Sequence, residues 1–247
     1  MVQPIILAAG RGKRMNSETP KVLHRLNGKS FINSIVSTIE NTKDFKKPII
    51  VTGENQEMVE QEIGDRAIYI RQNAPLGTGD AVLSCREFLK NSLDPIIILY
   101  GDHPLISYIS LDKIVNHHTK HLPTITFFTT IPPSFENEYQ PFSAYGRIKR
   151  ENGSIKIIEK RNASPEELEI REVNLGAYCF EPSWLWSTLP KIKKNEISKE
   201  YYLTDLIDIA TNENKKVETL ALEPEEALGI NTREDLEIAK KLISKKL

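Results

Sequence analysis

The sequence is poor in cysteine, has no long apolar run, and carries no excess charge of either sign. Only two cysteines, Cys85 and Cys179, occur in 247 residues, and neither has C-x-x-C or His-paired spacing. That excludes a zinc knuckle and a disulfide framework, and the two thiols are expected to be buried. No apolar stretch approaches the ~18 residues of a membrane-spanning helix. The N-terminus runs straight into a short apolar strand with no signal-peptide pattern, so a cytoplasmic location is expected. Lysine and arginine number 33 against 34 acidic residues, a net charge of −1. This balance gives no broad footprint for nucleic acid or an anionic membrane, so small molecules are the expected partners. Repeats, low-complexity tracts and linkers are also absent, and no feature specifies an oligomer. The length suits one α/β domain over residues 1–247.

Short β-branched runs alternate with helical patterns through the first half, which indicates a doubly wound, mostly parallel sheet covered on both faces. Strands are expected at residues 2–7, 48–52, 67–71, 95–100 and 124–129, with helices over 31–39, 56–63, 79–89 and 111–121. Residues 132–144 are polar, aromatic and proline-marked, and read as a candidate lid. Beyond them, antiparallel strands are expected at 146–150, 154–159 and 173–180, with a short helix at 165–168. Helices at 204–212 and 232–247 then flank a strand at 217–222, with Lys240-Lys241 and Lys245-Lys246 on an exposed face. In such sheets ligands bind beyond the carboxyl ends of the strands, which singles out Gly10, Gln72 and Asp102.

The first of those positions opens a glycine-rich, cationic loop: Ala8-Ala9-Gly10-Arg11-Gly12-Lys13-Arg14-Met15, followed by Pro20-Lys21-Val22-Leu23-His24. Small residues let backbone N–H groups close on an anion, and Arg11, Lys13, Arg14 and Lys21 add positive charge. A dinucleotide-binding turn is excluded because Met15 stands where G-x-G-x-x-G needs its third glycine. A Walker A loop fails as well, since Leu23 stands five residues before Gly28-Lys29-Ser30. A phosphate-binding loop of another kind remains. Asp102, on the Tyr100-Gly101-Asp102 turn after an apolar strand, suits a magnesium ligand facing such a loop; capping of the next helix is the alternative. Gln72 offers a donor and an acceptor to a base edge, and Gly77-Thr78-Gly79 opens a helix behind it. His117 and His121 stand four apart, without the glutamate of a zinc-protease pattern; Leu111, Ile114, Val115 and His118 form the face expected to be buried.

These strings, with Tyr145-Gly146-Arg147-Ile148, Glu200-Tyr201-Tyr202-Leu203-Thr204-Asp205 and Ile230-Asn231-Thr232-Arg233, resemble the bacterial N-acetylglucosamine-1-phosphate uridylyltransferases, in the same order along nearly the whole chain. The resemblance implies a Rossmann-like nucleotidyltransferase fold, its mixed sheet joined by an antiparallel sugar-side subdomain. It further implies UMP transfer from UTP to N-acetylglucosamine 1-phosphate with Mg2+. Leu7, Ala8, Ala9, Gly10 and Gly12 would then meet the nucleotide, Gln72 the uracil, and Gly77 and Thr78 the adjoining wall. Arg14 and Lys21 would act on the phosphates, and Asp102 and Asn231 would hold the metal. Gly146, Glu159 and Asn174 would contact the sugar, with Tyr100, Gly101 and Asn231 near the product. Thr204 is either the cap of a helix or part of the sugar-side wall.

The sequence departs from the family at several points. The full-length bacterial enzymes continue into a hexapeptide-repeat acetyltransferase β-helix that builds a trimer, which this sequence does not include, so uridylyl transfer alone is expected. Lys13 replaces a threonine and Asp80 a histidine, without loss of a backbone contact. Pro75, Asn162 and Leu175 stand where glutamine, aspartate and threonine are usual, near base and sugar. The alternatives are therefore a uridylyl- or cytidylyltransferase for another phosphate, or a catalytically silent nucleotide-sugar binding protein. The silent reading gives no reason for Arg14, Lys21, Asp102 and Asn231 to be present together.

Overall fold

The computed structural model describes residues 1–10, 12–151 and 153–244. Arg11, the Lys13 side chain and the Lys245-Lys246 pair, each read above as charged surface, lie outside the described residues. In chain order the strands are β1 (Gln3–Leu7), β2 (Arg25–Leu26), β3 (Lys29–Ser30), β4 (Ile49–Thr52), β5 (Ile68–Arg71) and β6 (Ile96–Tyr100). After them come β7 (Ile125–Thr130), β8 (Arg147–Glu151), β9 (Ser154–Ile158), β10 (Val173–Phe180) and β11 (Val217–Ala221). β2 and β3 form a separate hairpin; the main sheet runs β11-β7-β10-β6-β1-β4-β5, with β8 and β9 branching from β10.

Each apolar run is divided between two cores because successive side chains leave a strand on opposite faces. Ile6, Ile50, Ile97 and Leu99 join one core, beneath the helices Phe31–Glu40 and Tyr108–His121. Ile5, Ile49, Val51, Ile96 and Ile98 join the other, beneath the helices Thr78–Leu83, Pro182–Thr188 and Asp205–Asn212. The expected face of the helix Tyr108–His121, with Leu111, Ile114, Val115 and His118, is the buried one. Cys85 and Cys179 are buried free thiols, and burial pushes the Cys85 thiol up to about 12.

Three local features differ from expectation. The helix expected over 79–89 divides into Thr78–Leu83 and Arg86–Leu89. Around Ser84 and Cys85 the bonding tightens, Cys85 N donating to Val82 O at 3.0 Å. Pro182–Thr188, to which no element was assigned, is a helix started by Pro182 and capped by Glu181, whose carboxylate accepts from the N–H groups of Ser183 and Trp184. The candidate lid contains a 3-10 helix, Asn137–Ala144, with Pro141 and Phe142 buried. Its Phe135 and Tyr139 pack against the first core, as does Tyr145 just beyond it.

Topology fixes the site. From β1 the chain runs outward through β4 and β5, then returns to β6 on the other side of β1. β1 and β6 are parallel, with Leu7 opposite Tyr100, so the loops after both strands leave the sheet side by side at this switch point. β10 lies between β6 and β7, antiparallel to both, rather than at an edge.

Candidate active site

Gly12 shows why the first loop takes its shape: its φ is +59°, and a Cβ there would lie 2.6 Å from Lys21 Cβ. Only glycine lets the loop turn back against the segment that carries Lys21. Gly101 plays a similar part beneath the site, where an added Cβ would meet Leu7 O and Val22 Cγ1, each at 2.9 Å. Gly101, expected near the product, packs between the two loops and is flanked by Tyr100 and Asp102, which line the cleft.

The other expected residues line one cleft of about 720 Å³. Leu7, Ala8, Ala9, Gly10, Gly12 and Arg14 form one wall, and Gln72, Gly77 and Thr78 a second. Tyr100 and Asp102 enter from the end of β6; Gly146, Glu159 and Asn174 come from the antiparallel strands, with Lys21 and Asn231 beside the first loop.

Two cations and two oxygen ligands converge at the cleft. Lys21 Nζ lies 2.5 Å from Asp102 Oδ2 and 3.1 Å from Asn231 Oδ1, to which Arg14 Nη2 donates at 2.8 Å. Burial alone would raise the Asp102 carboxyl, but the Lys21 ammonium, aided by His103, outweighs it and holds the group below its usual range. Asn231 is placed by Asp235, whose Oδ2 accepts from the N–H groups of Asn231 at 2.8 Å and Thr232 at 2.9 Å. Thr232 Oγ1 accepts in return from Asp235 N, a reciprocal cap at the start of the helix Arg233–Ser244. Asp102 does not cap the helix that follows it; Ser107 does.

Gln72 departs from its sequence reading as both donor and acceptor. Its Nε2 donates to Gly77 O at 3.1 Å and to Asp80 Oδ2 at 2.7 Å, so both amide hydrogens are used within the protein. The turn after Gln72 is clamped by the Glu200–Thr204 segment. Tyr201 N donates to Leu76 O at 2.7 Å, Gly79 N to Tyr201 O at 2.8 Å, and Leu203 N to Thr78 Oγ1 at 3.0 Å. A Cβ on Gly77 would come within 2.5 Å of Tyr201 O.

On the far side, Thr204 lines the cleft, and its side chain does not cap the helix that follows it. It stands at the N-cap of the helix Asp205–Asn212, while its hydroxyl donates to Glu159 Oε1 at 3.1 Å instead of capping. Burial raises the Glu159 carboxyl, with the Thr204 hydroxyl and Arg161 opposing. Asn174 Nδ2 donates to the Tyr178 hydroxyl at 2.5 Å, which fixes the amide at the cleft wall. His103 and Tyr145 also line the cleft, although neither was singled out as a site residue. His103 Nε2 lies 3.6 Å from Asp102 Oδ1, and burial lowers its imidazole. Its place next to Asp102 in sequence was the available signal. His117, by contrast, pairs with Glu218 at 2.7 Å and lies outside the cleft.

Half-buried Asp205 is pushed up to about 6, first by burial and then by Asp208 and Glu159. A raised carboxyl favours the fold below its ordinary value of 3.8, and that advantage is lost as pH rises through about 6. Asp205→Asn should therefore gain on the order of 1 kcal/mol of stability near ~pH 8 and nothing near ~pH 3.5, after allowing for solvent screening. Urea unfolding at the two pH values checks this, and an equal effect at both would contradict it.

The described chain matches the family profile for nucleotidyl transferase over residues 3–225. Among curated relatives, the bifunctional protein GlmU of Clostridium kluyveri is 38% identical over 98% of this chain and 52% of its own length. The GlmU of Acetivibrio thermocellus is 36% identical with the same coverage, and that of Desulfotalea psychrophila is 36% identical over 95% of this chain and 68% of its own. The chain thus spans about half the length of the first two relatives. A Bacillus anthracis structure described as a glucose-1-phosphate thymidylyltransferase with sucrose superposes with a TM-score of 0.75 at 19% identity, covering 98% of this chain and 95% of the other. A CMP:2-keto-3-deoxy-manno-octonic acid synthetase bound to CTP gives 0.70 at 16% identity, covering 100% and 99%. At such identities these two structures establish the shared α/β fold. With the profile spanning most of its length, the chain belongs to the nucleotidyl transferase family.

Proposed function

We propose that the chain transfers UMP from UTP to N-acetylglucosamine 1-phosphate, giving UDP-N-acetylglucosamine and pyrophosphate, as one catalytic unit over residues 1–247. The observation that carries this reading is the convergence of Arg14, Lys21, Asp102 and Asn231 at a cleft also lined by Gln72, Glu159 and Asn174. The substrate pair is the one that the resemblance of the sequence implies, and the match to GlmU relatives along nearly the whole chain supports it.

Magnesium is the proposed cofactor. Asp102 Oδ2 and Asn231 Oδ1 already lie around one cation, the Lys21 ammonium, and both are the hard oxygen donors that magnesium takes. Among the described residues no group of three or more His, Cys, Asp or Glu is arranged to hold a metal. In a magnesium site of this kind phosphates and water would complete the shell. When bound, the metal supplies charge neutralisation on the phosphates.

The protein's own share is alignment and electrostatics. A phosphate oxygen of the sugar substrate attacks the α-phosphorus of UTP, the bond from that phosphorus to the bridging oxygen breaks, and pyrophosphate leaves with the electron pair. The attacking oxygen is already ionised, so no general base is required. Arg14 and Lys21 offset the charge of two polyanions brought together, and the glycine loop lets the nucleotide approach the backbone. Glu159, a half-buried carboxylate at the cleft wall, is suited to accept from a sugar hydroxyl or amide N–H. The proposed place of action is the cytoplasm; among the described residues no helix is long and apolar enough to cross a membrane.

Pyrophosphate release measured over a matrix of nucleoside triphosphates and sugar 1-phosphates tests the assignment. UTP with N-acetylglucosamine 1-phosphate should be the best pair; a better one would reassign base or sugar, and no release with any pair would favour a binding protein. Glu159→Ala should raise KM for the sugar phosphate about tenfold or more while KM for UTP holds. An unchanged sugar-phosphate KM would remove Glu159 from that role.

A further inference from the structure

Asp80 lies outside the cleft wall, yet it holds the residue proposed to face the base. Gln72 is buried at 6% exposure, and its Nε2 places one hydrogen on Asp80 Oδ2 at 2.7 Å and the other on Gly77 O at 3.1 Å. Turning the amide over would set Oε1 against a carboxylate and a carbonyl, two acceptors, so chemistry as well as geometry fixes which atom is nitrogen. Neither anchor is loose. Gly77 belongs to the turn clamped by Tyr201, and Asp80 stands in the first turn of the helix Thr78–Leu83. The Gln72 amide therefore has only an acceptor, Oε1, left to offer a ligand.

We propose that Asp80 is a specificity-determining positioning residue: it locks Gln72 with Oε1 toward ring N3 of the bound base, favouring a pyrimidine whose N3 carries hydrogen over cytosine, whose N3 is itself an acceptor and whose donor is displaced to the 4-amino group. This rests on the reading of Gln72 as the base-facing residue. Fold likeness to proteins named for thymidylyl and cytidylyl chemistry leaves the base open, and the Gln72–Asp80 pair supplies the discrimination. Without Asp80, Gly77 O alone opposes the flip, and an amide free to turn can offer cytosine a donor.

The test is calorimetric binding of UTP and CTP to the full chain with magnesium present, for wild type, Asp80→Ala and Asp80→Asn. Wild type should prefer UTP, and Asp80→Ala should lower the UTP-over-CTP ratio by about tenfold or more. Asp80→Asn loses the charge but keeps an acceptor, and Gly77 O still favours the native orientation, so its ratio should stay within ~3-fold of wild type. If the alanine variant fails to fold, Asp80→Leu replaces it, because it keeps the bulk of the side chain and likewise offers the Gln72 amide no acceptor. A wild-type preference for CTP, an unchanged ratio in Asp80→Ala or Asp80→Leu, or an equal collapse in Asp80→Asn would overturn the proposal. Failure of wild type to release pyrophosphate with N-acetylglucosamine 1-phosphate would instead overturn the sugar assignment, and the binding ratios would still decide the role of Asp80.

Discussion

Asp102→Ala is expected to lower kcat/KM for pyrophosphate release by at least ~10³-fold, because it removes the carboxylate that holds Lys21 at the proposed metal position. The geometry is specific. Lys21 Nζ sits 2.5 Å from Asp102 Oδ2 and 3.1 Å from Asn231 Oδ1, so losing the carboxylate removes a metal ligand and also unfixes the ammonium. The fold should survive: Asp102 tethers the Asn231 turn through its backbone carbonyl, which accepts from Ile230 N at 2.8 Å whatever the side chain. Far-UV circular dichroism with steady-state kinetics separates the two effects. A well-folded variant with more than ~10% of wild-type turnover would contradict the role given to Asp102.

Arg147→Met should cost about 3–5 kcal/mol of stability, a large effect for a residue that touches no proposed ligand. Arg147 is 2% exposed and donates to the carbonyls of Leu168 at 3.3 Å, Ser143 at 3.2 Å and Tyr145, while its guanidinium lies 4.4 Å over the Phe135 ring. Methionine can replace the stem but not the donors, so three carbonyls lose their partner in a place water reaches poorly. Burial lowers the guanidinium pKa, yet an arginine stays charged, and the surrounding carbonyls together with the aromatic face compensate that charge. Denaturant unfolding measures the loss; less than ~1 kcal/mol would show that the carbonyls find other donors.

Arg147 also shows what the sequence could not reveal. Residues 132–144 read as an irregular lid because their proline and polar content matches no helical or strand period. Part of their order comes from a side chain beyond the segment, which bonds Ser143 O and lies over the Phe135 ring, and a carbonyl carries no sequence signature. The sheet was far more legible, since long β-branched runs such as Ile96–Leu99 bury both faces and leave little ambiguity. The glycine loop was legible for a similar reason, as Gly12 is confined by its φ and by Lys21. Pairings across the chain were not. Thr204 meets Glu159 across 45 positions, and Asn231 meets Arg14 across 217, contacts that only the finished topology creates. Gln72 lies between these cases: its place after β5 was readable, but its orientation depended on Asp80, a substitution with no evident consequence until the side chains met.

The central claim is attack on the α-phosphorus with both substrates held in the one cleft. It is tested most directly by incubating the protein with magnesium, N-acetylglucosamine 1-phosphate and UTP radiolabelled at the α-phosphorus, then separating the products. The label should pass into UDP-N-acetylglucosamine, only when the sugar phosphate is present, with unlabelled pyrophosphate released in equal amount. Label that stays in UTP, or that appears as UMP or UDP regardless of the sugar phosphate, would contradict the account.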